Sequence, residues 1–218
     1  MLHIITPLYR FENLEKIYNS ILMNDDIRWH ISYSKTRILP ELDFLREDKR
    51  IIIYEVDCLD SEAFAKRNAV LSKINNGYFC FLDDDTLFHE NMYAKFVECS
   101  ENNFSGMLVG RQFAPDGTIR LTESIPIFAK IDVGNVLCHH KVLNTIKYPT
   151  KHIEGYNNKD FLFWKSVYEY FGRRCSLTSD VISYYNKISG LNLHVTRDKN
   201  NKIIKTINMS SNNKQFQK

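Results

Sequence analysis

Three consecutive carboxylates, Asp83-Asp84-Asp85, follow directly on the apolar run Tyr78-Phe79-Cys80-Phe81-Leu82. Such a run predicts a strand covered on both faces, with the charges leaving at its C-terminal end, where open α/β sheets hold their ligands. At ~3.3 Å rise per residue, adjacent anions raise one another's pKa unless a cation or a set of backbone N–H donors takes up the charge. Hard oxygen ligands with no neighbouring Cys or His favour Mg²⁺ or Mn²⁺ over Zn²⁺. An acidic turn capping the next segment is the plainer reading of the same three residues.

Upstream, Arg67 and Asn68 share a helical stripe with Phe64, Leu71 and Ile74. A guanidinium in an apolar stripe needs an anion or acceptor, unless it lies at the stripe's edge and snorkels to water. The helix immediately precedes the Asp-bearing strand, so a ligand at that strand's end would be gripped from both elements.

The elements that position these groups follow from periodicity. Residues 1–5 open as a strand, and Leu14, Ile17, Tyr18, Ile21 and Leu22 recur at helical spacing behind Asn13 as cap. Residues 29–33 and 51–56 read as strands, and residues 61–74 as a helix with Ser61 as cap. The order strand, helix, strand, strand, helix, strand predicts an α/β domain with a mostly parallel, mixed sheet flanked by helices. Further on, residues 107–110 form a strand, Pro115-Asp116-Gly117 a turn, residues 160–171 an apolar helix, and residues 181–185 and 191–196 short strands.

The chain of 218 residues, 44% of them hydrophobic, is long enough for one domain with a real core. Its net charge of +3, from 29 basic and 26 acidic residues, is too balanced to argue for nucleic acid, so any anion binding is local. Five scattered cysteines, mostly in apolar runs, read as reduced core residues. The opening residues carry no basic or long apolar region, so neither a signal peptide nor a transmembrane helix is expected, and a cytoplasmic location is. Residues 1–197 are expected to form the domain, divided into a nucleotide half (1–110) and a substrate half (111–197), with 198–218 a solvated basic tail.

The stretch Ala65-Lys66-Arg67-Asn68-Ala69 through Gly77-Tyr78-Phe79-Cys80-Phe81-Leu82-Asp83-Asp84-Asp85-Thr86 resembles the paired signature of the GT-A fold nucleotide-sugar glycosyltransferases: an Arg-Asn helix, then a hydrophobic strand ending in the DXD motif. It is most similar to the glucuronosyltransferases and the large inverting group. The opening Ile4-Ile5-Thr6-Pro7-Leu8-Tyr9-Arg10 resembles their first strand and nucleotide loop, so the likeness covers roughly the first half of the chain.

The resemblance implies a UDP-sugar donor, a glycan or glycoprotein acceptor and Mn²⁺ or Mg²⁺ as cofactor. Thr6, Pro7 and Tyr9 would line the uracil and ribose pocket, with Arg10 and Arg67 at the phosphates and Asn68 beside them. Asp83 and Asp84 would hold ribose and donor sugar. Asp85 would be the main metal ligand, with Asp83 and a late His194 as further ligands. Many relatives carry a uracil-reading carboxylate after the second strand; here Ser34-Lys35-Thr36 stands there, and Asp57 would take over. Arg111, in Val109-Gly110-Arg111-Gln112, and Asp132, Gly134 and Asn135, in Ile131-Asp132-Val133-Gly134-Asn135, resemble the segments that shape the sugar and acceptor pocket. Asp160 falls where inverting relatives place the base, with Glu154 in reserve, although an Asp opening an apolar helix is also an ordinary N-cap. A nucleotidyltransferase shares the sheet and the metal but usually carries a Gly-rich phosphate loop, which residues 6–10 lack. A non-catalytic nucleotide- or glycan-binding module is the third alternative.

Overall fold

The computed structural model describes residues 1–22, 24–121, 131–150, 159–185, 187 and 188, and the backbone of two strands at 193–197 and 203–208. Strands β1 (Leu2–Pro7), β2 (Ile27–Ser34), β3 (Ile51–Val56) and β4 (Tyr78–Phe81) are mutually parallel, in the order β3-β2-β1-β4. The sheet continues through β7 (Val136–His139), antiparallel to β4, then β5 (Met107–Phe113) and the short β6 (Ile119–Arg120). Strand β8 (Cys175–Tyr184) pairs in parallel with β5 and completes eight strands. This is the mixed, mostly parallel α/β sheet expected from the element order.

Every residue of β1 and β4 is buried, as strands covered on both faces must be. Alternate side chains feed two cores, because successive strand residues point to opposite faces. Leu2, Ile4, Tyr78 and Cys80 pack with helices α1 (Leu14–Ser20) and α4 (Glu90–Glu101). Ile5, Phe79 and Phe81 pack with Val70 and Leu71 of α3 (Ala63–Leu71) and with Phe163, Trp164 and Val167 of α5 (Lys159–Phe171). Each fully buried side chain of this size contributes about 1.5–3 kcal/mol. Gly77, at φ +67°, sets the start of β4: a Cβ there would lie 2.1 Å from the Met1 carbonyl oxygen, which accepts the Tyr78 N–H. The resulting register brings the residues after β4 alongside those after β1.

Several local expectations are corrected. Helix α3 begins at Ala63 behind Glu62, with no side-chain cap from Ser61. Asn13 does not cap α1 through its side chain; its amide donates to the Asp84 carbonyl instead. The short α2 (Asp43–Glu47) and the whole of α4 were not anticipated, although Met92, Phe96 and Cys99 carry the i, i+4, i+7 spacing of its buried face. Strand β8 starts six residues early because its first half is largely exposed and shows no apolar alternation. In the expected tail, β10 (Ile203–Asn208) pairs antiparallel with β9 (Leu193–Arg197) as a separate two-stranded sheet. All five cysteines are free thiols. Among the described residues, no helix is long and apolar enough to cross a membrane.

A buried polar chain ties β1 to β2 and β3. With the Asn76 amide oxygen accepting from His3 Nε2 (3.3 Å), His3 Nδ1 accepts from His30 Nε2 (2.9 Å) and His30 Nδ1 from the Tyr54 hydroxyl (3.0 Å). Both imidazoles are thus neutral; burial pushes His30 down to about 3 and also lowers His3. Because these groups take up protons only on unfolding, their contribution is full above pH 6.5 and is lost as pH falls from there toward 3. Thermal denaturation should show Tm declining between pH 6.5 and 4, each histidine steepening stability by at most about 1.4 kcal/mol per pH unit. His30→Phe should flatten that decline, and an equally steep profile in the variant would contradict the assignment.

Candidate functional site

Because β1, β3 and β4 are parallel strands of one sheet, the loops that leave them lie at the same edge. They enclose a cleft of about 890 Å³ lined by Pro7 at the end of β1, Tyr9 and Arg10 after it, Leu59 and Asp60 after β3, Arg67 of α3, and Asp83, Asp84 and Asp85 after β4. A second cavity of about 230 Å³ is lined by Asp83, Asp85, Thr86, Gln112, Asp132, Gly134, Tyr184 and Tyr185. Asp83 and Asp85 border both.

The three carboxylates have different surroundings. Asp84 is 1% exposed. It accepts the backbone N–H groups of Tyr9 (2.5 Å) and Arg10 (2.7 Å) and one Arg10 guanidinium N–H (2.5 Å). Three of its roughly four acceptor sites are given to the loop after β1, so Asp84, at the floor of the cleft, acts as a structural clamp on that loop. Asp85 faces both cavities and lies 3.3 Å from the Arg10 guanidinium. Burial raises its pKa against the opposing pull of Arg10. Two-fifths of the Asp83 side chain still reaches the cleft, yet the surrounding protein desolvates it and pushes its pKa up to about 7. Arg67 opposes that shift, while Asp132, Asp85 and Asp160 add to it.

Arg67 joins the two halves of the site. It is 6% exposed, and one terminal nitrogen donates to Asp83 (2.9 Å) while the other donates to the Tyr148 hydroxyl (2.9 Å) and to Asp160 (3.1 Å). The anion demanded by a guanidinium in an apolar stripe is therefore present twice. Lys66, next to it, was missed in the sequence. Fully buried, its ammonium donates to the carbonyls of Leu8 and Asp60 (2.8 Å each) and to the Asp60 carboxylate (3.1 Å), with the Tyr9 ring 3.6 Å away. It staples the exit of β1 to the exit of β3.

Other expected residues divide between the cleft and the framework. Pro7 and Tyr9 line the cleft. Thr6 is fully buried and accepts the Trp29 indole N–H, so it is withdrawn from any ligand. Asp57 is four-fifths exposed and paired with Lys35, away from the cleft; Asp60 lines it instead. Asn68 makes two hydrogen bonds to the Tyr148 backbone, and the buried Asn135 donates to the Gly110 carbonyl, so both hold the framework. On β5, the residue turned toward the second cavity is Gln112, which donates to Asp132 (3.1 Å); Arg111 lies on the opposite face, as alternation requires. Asp132 and Gly134 line that cavity. Glu154 and the His194 side chain lie outside the described residues. Tyr148, Tyr184 and Tyr185 carried no sequence signal beyond being aromatic.

Among the described residues, no three His, Cys, Asp or Glu side chains converge closely enough to enclose a metal by themselves. The donor set nonetheless fits a hard cation. Asp83 and Asp85 offer oxygen donors, both desolvated and held above the ordinary carboxylate pKa, and one or two carboxylates suffice when substrate phosphates complete the shell. The division between clamp and ligand is testable by urea unfolding. Asp84→Ala should cost about 3 kcal/mol, since it strands two backbone N–H groups, and Asp85→Ala less than about 1 kcal/mol. Equal costs would refute the division.

No protein-family model matches the chain, and no curated protein matches it. Among solved structures it is similar to S. aureus TarS 1-349, with a TM-score of 0.67 at 16% identity, covering 84% of this chain and 59% of that one. It is also similar to TarS 1-349 in complex with UDP-GlcNAc (TM-score 0.66, 15% identity, 84% and 58% covered) and in complex with UDP (TM-score 0.66, 16% identity, 84% and 60% covered). The chain thus spans about three-fifths of the length of TarS 1-349, and at this identity what the likeness shows is a shared fold: an α/β domain with a mixed, mostly parallel sheet flanked by helices.

Proposed function

We propose that the chain is a metal-dependent glycosyltransferase that moves a hexose from a UDP-sugar to a glycan or glycosylated acceptor. The observation that carries this reading is Arg67, buried between Asp83 and Asp160, beside Asp85 at the carboxyl edge of the parallel strands. Support also comes from the shared fold with TarS 1-349, whose crystals hold UDP and UDP-GlcNAc.

In this reading Asp85, with Asp83, holds Mn²⁺ or Mg²⁺, which when bound stabilises the leaving diphosphate as a Lewis acid. The backbone N–H groups of Tyr9 and Arg10 are already given to Asp84, so the loop offers phosphate its half-exposed Arg10 side chain rather than a backbone nest. Asp83 keeps its place through Arg67, which limits the rotamers open to it before any ligand arrives. Gln112, Asp132 and the two tyrosines of the second cavity offer hydroxyl-binding groups and an aromatic surface to the donor sugar. Asp160, a third exposed, takes the proton of the acceptor hydroxyl.

Titration calorimetry with UDP and Mn²⁺ tests the donor side. Asp85→Ala should remove the metal-dependent part of UDP binding, whereas unchanged binding would remove Asp85 from the metal site. For Asp160→Asn, UDP affinity should stay within about twofold of wild type while turnover falls at least about a hundredfold. Loss of both, or of neither, would speak against Asp160 as base. Mn²⁺-dependent hydrolysis of UDP-sugars separates an enzyme from a binding module, which would show none.

A further inference from the structure

Asp160 is held by a residue with no place in the donor site. Tyr148 is 2% exposed, and its hydroxyl donates to Asp160 Oδ1. Arg67 Nη1 donates both to the Tyr148 hydroxyl oxygen (2.9 Å) and to the same Oδ1 (3.1 Å), closing a ring of three groups. The Tyr148 backbone is fixed in turn: its N–H donates to Asn68 Oδ1 and its carbonyl accepts from Asn68 Nδ2, both at 2.9 Å. The phenol ring stacks on Phe163 at 4.7 Å and meets Phe81 edge-on at 5.9 Å. Backbone, ring plane and hydroxyl are therefore all set before any substrate enters. Burial, against the pull of Arg67, raises the phenol's pKa and keeps it a donor.

We infer that Tyr148, bracketed by Asn68, is a positioning residue for Asp160, occupying Oδ1 so that Oδ2 is the oxygen that receives the acceptor proton. This rests on the reading of Asp160 as base. In the step so served, the acceptor oxygen bonds to C1 of the donor sugar as the C1–O bond to UDP breaks. The electron pair leaves with UDP, and the hydroxyl proton passes to Oδ2. The charged groups near Asp160 among the described residues are Arg67 of α3, Asp83 reached through Arg67, and Lys159 on α5 itself, whose ammonium lies over the Phe64 ring. All remain when the phenol oxygen is removed; that substitution deletes two hydrogen bonds, the one given to Asp160 and the one accepted from Arg67.

The test uses the full chain with Mn²⁺ and UDP-GlcNAc as donor probe, water serving as acceptor. Tyr148→Phe keeps the ring and should bind UDP within about twofold of wild type while turnover falls about tenfold. The loss should fall on kcat and leave the KM for UDP-GlcNAc within about twofold of wild type. A merely structural role would not produce that split. Wild-type kcat in Tyr148→Phe, with Asp160→Asn inactive, would overturn the inference and leave the base reading standing. Full activity in Asp160→Asn would overturn both. Should Tyr148→Phe melt below the assay temperature, Asn68→Ala must lower kcat with UDP affinity retained, and wild-type kcat there overturns the inference.

Discussion

A guanidinium cannot be buried without partners, and meeting that requirement at Arg67 organises the molecule. Desolvating the charge costs several kcal/mol, returned only when anions and acceptors stand at hydrogen-bond distance. Here they come from three directions: Asp83 from the end of β4, Tyr148 from the segment after β7, and Asp160 from the first turn of α5. Helix α3 is thereby tied to both sides of the site, and the aromatic cluster of Phe81, Phe163 and Trp164 beneath it keeps water out. Burial also raises the pKa of Asp83 and Asp85, as it does for carboxylates whose ionised form a cation would stabilise.

Three adjacent Asp residues with one apparent purpose turn out to have three. Asp84 turns inward and fixes the loop after β1, Asp83 faces the cleft under the control of Arg67, and Asp85 borders both cavities with Arg10 against it. They lie beyond the end of β4, with Asp84 and Asp85 in a turn closed by the Thr86 N–H on the Asp83 carbonyl, and that turn separates a framework group from cleft-facing groups at a spacing of one residue. Lys66 has a comparable role on the opposite wall, where a buried ammonium joins Leu8 to Asp60.

What the sequence made legible was local. The strand at 78–82, its acidic end, and the need of Arg67 for an anion all follow from neighbouring residues and periodicity. Which anion answered that need did not, because Asp160 is 93 residues away and Tyr148 is 81. The clamp at Asp84 depends on Arg10, 74 residues earlier, and its backbone donors carry no residue signature at all. Thr6 and Asn68 were drawn toward the ligand by their place in a motif, but their neighbours Trp29 and Tyr148 claim their hydrogen bonds. Arg111 and Gln112 show the finest limit: adjacent on one strand, only one of them can face the cavity, and the sequence does not say which.

The cleft bordered by Arg10, Arg67 and Asp85 is proposed as the site for a metal-bound nucleoside diphosphate. A crystal structure grown with UDP and Mn²⁺, with anomalous scattering recorded at the manganese edge, tests it most directly. An anomalous peak is expected at hydrogen-bonding or shorter range of Asp85, with the diphosphate between it and the Arg10 side chain. A manganese peak and nucleotide density elsewhere, or nucleotide in the cleft with no metal at Asp85, would contradict it.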